Sequence, residues 1–489
     1  MDEINRRRRN AASAALPAVW WWRRPAWRRA ACVAAALLAS VGGRPTPAAA
    51  QRAQLERVVQ RRTLPNGLEV IVYENHGVPL VTAEVTVRNG AFTQSPEYAG
   101  LAHLYEHMFF KANDQFPEPD DYVDAMSRLG AVFNASTREE QVNYYLTLSA
   151  DSLEAGLRML AVGFLSPHFR ADELAREREV VIGEYDRNES SPFFRLEQET
   201  GKRMYGAQWS RKNVIGDRAV IQGTTPEKMR AIRDLYYVPN NSVLIISGDV
   251  PPATAFALAE RTFGGWARGA DPFTRAPVPP IPPLATSQAV VVEEEVNAVT
   301  VLVQWQGPSV RKDEAATFVA DVYSDVLNNP QSRFQRRLVD SGLWQAVGVN
   351  YYTLDNVGPI SVSGQTTPER LREALRVMFD ELRASVQPGY ITREELEATK
   401  ANRAVTTQFG MERSSEFSHT IGFWWSVSGF DYYLKYIDEM AARGVADLQQ
   451  YARKYIIDKP FVVGVLMAPA DRKRIALTDR ELLLVGRPR

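Results

Sequence analysis

Three chemically reactive residues, His103, Glu106 and His107, lie close together in the sequence. The chain of 489 residues holds only 5 histidines, so a chance His-x-x-Glu-His pattern has a probability on the order of 1% or less. Two histidines four positions apart on a helix can bind one metal ion, and a glutamate beside them can take a proton from water. The alternative interpretation is a solvated helix face that carries two histidines by coincidence.

The element that must position these residues is a helix. Ser95, Pro96 and Glu97 have the composition of a helix start, so we predict a helix from there to about Phe110. One stripe of this helix is apolar and should face the core: Leu101, Leu104, Tyr105 and Met108. The three reactive residues fall on the opposite side, which predicts that they face a site and not the core.

Three stretches of the sequence resemble one family of enzymes. They are "GLAHLYEHMFFKA", "LGAVFNASTREEQVNYYLTL" and "ELAREREVVIGEYDRNESSP". Together they resemble the inverzincin zinc metallopeptidases, the insulinase/pitrilysin family with the HxxEH motif. Within that family the chain is most similar to the bacterial members that are like mitochondrial processing peptidase.

The resemblance implies a complete metal site. It gives His103, His107 and Glu184 as ligands of one Zn²⁺ per chain, with the fourth position left to water as in catalytic zinc sites. It gives Glu106 as the base that later returns a proton to the leaving amine. The remaining histidines of the chain are expected not to be ligands: His76, His168 and His419.

The resemblance also points to Glu177 as a second catalytic residue. Glu177 precedes Glu184 by about two helical turns, roughly 10 Å along the axis, so both cannot bind the same ion directly. We therefore expect Glu177 to orient a ligand or to tune the site. The alternative is an ordinary surface acid.

The substrate-binding residues implied by the resemblance are Asn134, Ala135 and Arg337. Asn134 and Ala135 lie on a strand to which an extended peptide can add as a further strand, although Asn134 could equally be a turn residue. Family members that act alone often carry an Arg and a Tyr seven residues apart in the second half. Here Trp344 stands at the tyrosine position after Arg337, which predicts that the chain works best with a partner.

The body of the chain contains the same plan twice. Strand and helix patterns recur at a spacing near 220 residues, for example at Tyr236 and Tyr455. We predict an α+β fold of two homologous domains, each a mainly antiparallel sheet packed with helices, facing each other like a clamshell. The predicted boundaries are 55–266 for the metallopeptidase domain, 267–285 for a proline-rich linker and 286–486 for a domain without the metal motif.

The N-terminus reads as a secretory signal peptide over residues 1–50. An arginine-rich segment precedes an apolar run of about 13 residues, shorter than the roughly 20 that span a bilayer. Ala48 and Ala50 offer a cleavage site at about Gln51, and the only cysteine, Cys32, falls inside the signal. This predicts a periplasmic or secreted protein. An uncleaved membrane anchor is the alternative.

Together these patterns predict a zinc endopeptidase that hydrolyses extended, unfolded peptides in an enclosed chamber, with a related peptidase subunit as a homodimeric or heterodimeric partner. Without residues 1–50 the net charge is about −7, which gives no reason to expect nucleic-acid binding. We also expect no membrane contact for the mature protein. A binding scaffold that has lost activity, and a different zinc hydrolase built on the same helix motif, remain as alternative functions.

Overall fold

The computed structural model describes residues 47–118 and 120–485. Cys32 and most of the predicted signal peptide lie outside the described residues, and residues 47–50 begin the first described helix. None of the described helices has the length and apolar character needed to cross a membrane.

Six strands form the first sheet. They are β1 (Val59–Thr63), β2 (Glu69–Glu74), β3 (Leu80–Val87), β4 (Val132–Thr137), β5 (Val142–Ser149) and β6 (Ser242–Gly248). Their order is β1-β2-β6-β3-β5-β4. All neighbours are antiparallel except β2 and β6, which are parallel.

Five strands form the second sheet. They are β7 (Gln288–Glu293), β8 (Val299–Gln306), β9 (Ala346–Tyr351), β10 (Pro359–Thr366) and β11 (Val462–Met467). Their order, β7-β11-β8-β10-β9, repeats that of the first sheet without a counterpart of β1, and the one parallel pair recurs as β7 and β11. The predicted α+β fold of two homologous halves in a clamshell arrangement is therefore confirmed.

Helices surround both sheets. Those before the second sheet are α1 (Pro47–Val58), α2 (Leu101–Phe109), α3 (Asp121–Arg128), α4 (Leu153–Leu165), α5 (Ala171–Glu189), α6 (Pro192–Tyr205), α7 (Arg218–Gln222), α8 (Pro226–Tyr236), α9 (Pro252–Phe263) and α10 (Pro272–Arg275). The later ones are α11 (Val310–Asn328), α12 (Arg333–Gln335), α13 (Leu371–Ala384), α14 (Arg393–Phe409), α15 (Ser414–Val427), α16 (Phe430–Ala441), α17 (Val445–Tyr455), α18 (Pro469–Ile475) and α19 (Asp479–Val485). Tyr236 and Tyr455, the residues that suggested the duplication, occupy equivalent positions. Tyr236 ends α8, which precedes β6, and Tyr455 ends α17, which precedes the matching strand β11.

The central strands are apolar on both faces because each sheet is covered twice. In β6, Leu244 and Ile246 point into the core of the first half, whereas Val243 and Ile245 point into a second apolar cluster. That second cluster is built on α15, a helix that comes from the second half of the chain and packs across β3 and β6. Such continuous burial replaces the alternation expected for a sheet with one wet face.

The exchange of helices is reciprocal. Just as α15 covers the first sheet, α6 from the first half packs on β7, β8 and β11 of the second sheet. Leu196 of α6 is fully buried there, in a cluster with Val290 and Leu302. Each half thus supplies a helix that covers the sheet of the other half. The predicted domain boundaries stay a prediction.

A glycine permits α15 to approach the first sheet. A side chain at Gly422 would place its Cβ 2.5 Å from Thr86 Oγ1 and 2.9 Å from Glu84 Oε1. One turn earlier on the same helix, His419 Nδ1 lies 2.6 Å from Glu84 Oε2. Glu84 is fully buried, so this ion pair fixes the position of α15 on the sheet.

Candidate metal centre and active site

Helix α2 carries the three reactive residues and begins later than the sequence suggests. The predicted start at Ser95 is wrong: Pro96–Tyr98 form a separate 3₁₀ turn, and the α-helix runs over Leu101–Phe109. Gly100 separates the two elements because its φ of 93° is left-handed, a conformation that favours glycine. The apolar stripe is buried as expected, and His103, Glu106 and His107 remain partly accessible on the other side.

Helix α5 brings Glu184 to the two histidines. The Nε2 atoms of His103 and His107 are 3.3 Å apart. Oε2 of Glu184 lies 3.5 Å from His103 Nε2 and 3.6 Å from His107 Nε2. Ligand atoms at ordinary zinc distances of about 2.0–2.1 Å in a tetrahedron are about 3.3–3.4 Å from one another. The donor set and its spacing therefore fit a zinc ion.

The charge states of this cluster also fit a cation site. Burial, together with the neighbouring His107, lowers the pKa of His103 to about 3, so its imidazole is neutral as a ligand must be. Burial opposes the charged forms of His107 and Glu184 as well. Hydrogen bonds to Glu177 and Glu184 nevertheless raise the pKa of His107 to about 10, and the pKa of Glu184 is lowered by His107. His107 would have to lose a proton to ligate a metal ion, because a coordinating imidazole nitrogen carries none.

Glu177 lies behind the cluster and not in it. Its Oε1 is 3.0 Å from His107 Nδ1, and its Oε2 is 2.6 Å from Lys111 Nζ. A carboxylate on the far nitrogen of a ligating histidine fixes the orientation and tautomer of the ring. The contact supports the orienting role expected for Glu177 and argues against an ordinary surface acid, since its residue is only 8% exposed.

Glu106 is partly buried beside the cluster and is hydrogen-bonded to the sheet. Its Oε2 accepts a hydrogen bond from Thr137 Oγ1 at 2.6 Å. Burial raises the pKa of Glu106 above its ordinary value. A carboxylate with a raised pKa accepts a proton more readily than an ordinary glutamate does, and can give it back.

Asn134 and Ala135 lie on β4, at the edge of the first sheet. Among the described strands, β4 pairs with β5 alone. Asn134 is exposed, Ala135 is buried, and Val132 on the same strand is 71% exposed. This strand has an open edge that an extended peptide can join.

The second half of the chain holds the tip of the β4–β5 hairpin. Glu140 accepts hydrogen bonds from the backbone N–H groups of Asp355 and Asn356 at 2.6 and 2.7 Å. Lys212 Nζ donates to the Asn356 carbonyl at 2.5 Å. The position of the edge strand is therefore tied to the loop between β9 and β10.

The structure does not place Arg337 in the cluster. Arg337 lies in a π-helical turn, Arg336–Asp340, and its Nε is 3.3 Å from Glu381 Oε1 in the same half. Trp344, at the expected tyrosine position, is buried and donates its indole N–H to the Ala374 carbonyl. A substrate-binding role for Arg337 stays a prediction.

The other histidines each face carboxylates. His76 lies between Asp249 and Glu74, His168 contacts Asp114, and His419 contacts Glu84. Within the described residues, the group of histidine and acidic residues spaced to hold a metal ion is His103, His107 and Glu184.

Sequence reasoning missed two residues that shape the site, Thr137 and Lys111. Lys111 follows the end of α2, and its ion pair with Glu177 depends on the packing of α2 against α5. Thr137 contacts Glu106 only because β4 packs against α2, and the spacing of the two residues along the chain does not predict this contact.

The chain is thus a duplicated α+β body in which one half brings two histidines and a glutamate to metal-binding spacing. Two family models match it: "Insulinase (Peptidase family M16)" over residues 69–215 and "Peptidase M16 inactive domain" over residues 224–403. The chain belongs to the insulinase family, peptidase family M16.

Named relatives agree with this assignment. The chain is 25% identical to the zinc protease PqqE of Helicobacter pylori over 407 residues, which cover 81% of this chain and 90% of that protein. It is 24% identical to the uncharacterized zinc protease YmxG of Bacillus subtilis over 361 residues, which cover 73% of this chain and 86% of that protein. Both relatives are named as zinc proteases.

Solved structures show the same fold. The crystal structure of a protease from Helicobacter pylori matches with a TM-score of 0.75 and 22% identity, over 84% of this chain and 99% of that one. The periplasmic protease PqqL from Escherichia coli matches with a TM-score of 0.71 and 15% identity, over 88% of this chain and 50% of that one.

Proposed function

We propose that the protein is a zinc-dependent endopeptidase that hydrolyses extended, unfolded peptides. The observation that carries the proposal is the triangle of His103, His107 and Glu184 atoms at 3.3–3.6 Å, with Glu106 beside it. The triangle lies in the half that matches the insulinase model, and the second half matches the model of the inactive domain.

The residues divide the chemistry among them. His103, His107 and Glu184 hold one Zn²⁺, which when bound acts as a Lewis acid and makes water a stronger acid. Glu106 takes a proton from the attacking water and returns it to the leaving amine. Glu177 keeps the His107 ring in the orientation in which Nε2 faces the cluster.

The substrate binds along β4. Main-chain hydrogen bonds to an open strand edge hold any extended peptide, whereas most strands of a folded protein already pair with their neighbours. Asn134 and Ala135 are the contact positions on this strand. Such binding suits peptides that are unfolded when they reach the site, inside a chamber.

A second peptidase subunit completes that chamber. Arg337 matches the arginine of the pair in family members that act alone, but Trp344 stands at the tyrosine position and is buried in the core. The partner, a second copy or a related chain, supplies the missing contacts. The N-terminal segment directs the protein to the periplasm or the exterior, and the structural relative PqqL is itself a periplasmic protease.

The test uses the full chain, its metal content and a quenched-fluorescence peptide library, with and without a chelator. We expect one zinc per chain and chelator-sensitive cleavage. Glu106→Gln should keep the zinc and lose cleavage, and the exposed Glu179→Gln on α5 serves as the control.

The alternative function, a binding scaffold, makes the opposite prediction. A wild-type chain that binds peptides but cleaves none, with zinc bound and with a related subunit added, would establish the scaffold. An active Glu106→Gln variant would refute the assignment of the base.

A further inference from the structure

Thr137 is the residue through which the substrate-binding strand touches the proton-transfer group. It ends β4, three positions after Asn134, and its hydroxyl donates to Glu106 Oε2 at 2.6 Å. One residue of the sheet thus supplies a hydrogen-bond donor to the carboxylate on α2.

A partly buried carboxylate needs such a donor. Without it the ionised form is costly, and the side chain can rotate among several conformers. A hydrogen bond of this length to a charged acceptor is among the stronger ones in proteins. The Thr137 hydroxyl therefore selects one orientation of Glu106.

We propose that Thr137 is a positioning residue for the peptidase reaction, fixing Glu106 in the conformation in which its carboxylate faces the attacking water. The inference rests on the proposed function, because it needs Glu106 to be the base. It predicts that the hydroxyl, and not the methyl group, matters. Since β4 also binds the peptide, the strand that aligns the substrate aligns the base as well.

The experiment compares Thr137→Val, which keeps the shape, with Thr137→Ser, which keeps the hydroxyl. We expect Thr137→Val to lower kcat by about 10–100-fold with KM nearly unchanged. Thr137→Ser should stay within a few-fold of the wild type, and both variants should keep the zinc content. Thr147→Val on the neighbouring strand, whose hydroxyl bonds Thr82, controls for the loss of a hydroxyl in the sheet.

The outcomes separate the two proposals. If the wild-type chain, given zinc and partner, cleaves no peptide, the proposed function fails. If the wild type is active and Thr137→Val keeps its kcat, or if Thr137→Ser is as slow as Thr137→Val, the positioning role is overturned and the proposed function stands.

An independent observation concerns the second half, where helix α11 is the counterpart of α2. Asp321 and Asp325 are four positions apart, as the two metal-site histidines are, and they flank the buried Tyr323 as those histidines flank the buried Tyr105. Both aspartates are partly accessible among buried neighbours.

The helix that faces α11 supplies a cation. Arg403 of α14 donates from Nε to Asp325 Oδ2 at 2.7 Å, and Tyr436 donates to Asp321 Oδ2 at 2.5 Å. Helix α14 occupies the place that α5, the helix of Glu184, has in the first half. A guanidinium thus lies between the same two helices as the metal-binding cluster.

We infer that Arg403 is an internal cation that joins α11 to α14 in the half without the metal-binding motif. Arg403→Met should lower the unfolding temperature of the full chain by about 2–4 °C, as these side chains are partly exposed. Millimolar Ca²⁺ should restore part of the loss in this variant and leave the wild type unchanged, because Asp325, one helical turn from Asp321, then lacks its cationic partner.

The surface variant Arg376→Met, which breaks an ion pair with Asp380 on α13, is the matched control. An Arg403→Met protein that unfolds at the wild-type temperature would overturn the inference, and so would a loss that Ca²⁺ restores equally in the control. Neither result depends on peptidase activity.

Discussion

The contact between Glu177 and His107 predicts how tightly the site binds zinc. Glu177→Gln keeps a carbonyl oxygen that can accept from His107 Nδ1, but it removes the negative charge. Glu177→Leu removes both. The hydrogen bond is 3.0 Å long and Glu177 is only 8% exposed, so solvent screens the interaction little.

A hydrogen bond to a charged partner contributes about 1.5–3 kcal/mol. This corresponds to a change of roughly 10–100-fold in affinity, which matches the usual effect of removing a carboxylate behind a ligating histidine. We expect Glu177→Gln to weaken zinc binding by about tenfold and Glu177→Leu by about 100-fold. The assay is competition with a chromophoric chelator at fixed pH.

A control accounts for Lys111, whose ammonium also bonds Glu177 at 2.6 Å. Lys111→Met leaves the carboxylate in place, so its effect on zinc affinity should be smaller than that of Glu177→Leu. If both Glu177 variants bind zinc as the wild type does, the histidine is oriented by something other than this contact, and the reasoning is refuted.

Three further outcomes follow from the structure. Glu184→Gln should lose zinc by elemental analysis and, with it, peptide cleavage, because one ligand of the triangle loses its charge. Although burial opposes it, the hydrogen bond to Glu84 raises the pKa of His419 above 6.5. The stability lost in His419→Gln should therefore be full below about pH 6.5 and disappear as pH rises through the folded-state pKa, which urea unfolding at several pH values can measure. Gly422→Ala should destabilise by about 1–3 kcal/mol in the same assay, because its Cβ would lie 2.5 Å from Thr86 Oγ1.

Local sequence patterns predicted most of the part of the site that lies on α2. The four-residue spacing of His103 and His107 places them on one helix face. The apolar stripe of the same helix predicts which face is buried. The predicted helix start was wrong because Ser95 precedes a separate 3₁₀ turn, Pro96–Tyr98, whose composition resembles a helix start, and the left-handed Gly100 separates this turn from α2.

Long-range contacts could not be predicted in the same way. The hydroxyl of Thr137 reaches Glu106 only because β4 lies at one particular edge of the sheet, and sequence spacing does not encode that edge. The exchange of α6 and α15 between the two halves was not predicted for the same reason. The apolar faces of α6 and α15 predict burial, but they do not say which sheet covers them.

The exchange of α6 and α15 has a practical consequence for anyone who dissects this molecule. A cut in the proline-rich segment yields two fragments that each keep a helix belonging to the other fragment and lack one of their own covers. Both would present bare β-sheet faces rich in valine, leucine and isoleucine to solvent, which favours precipitation. The fragments should regain solubility only when they are co-expressed, because each fragment then supplies the helix that covers the exposed sheet of the other.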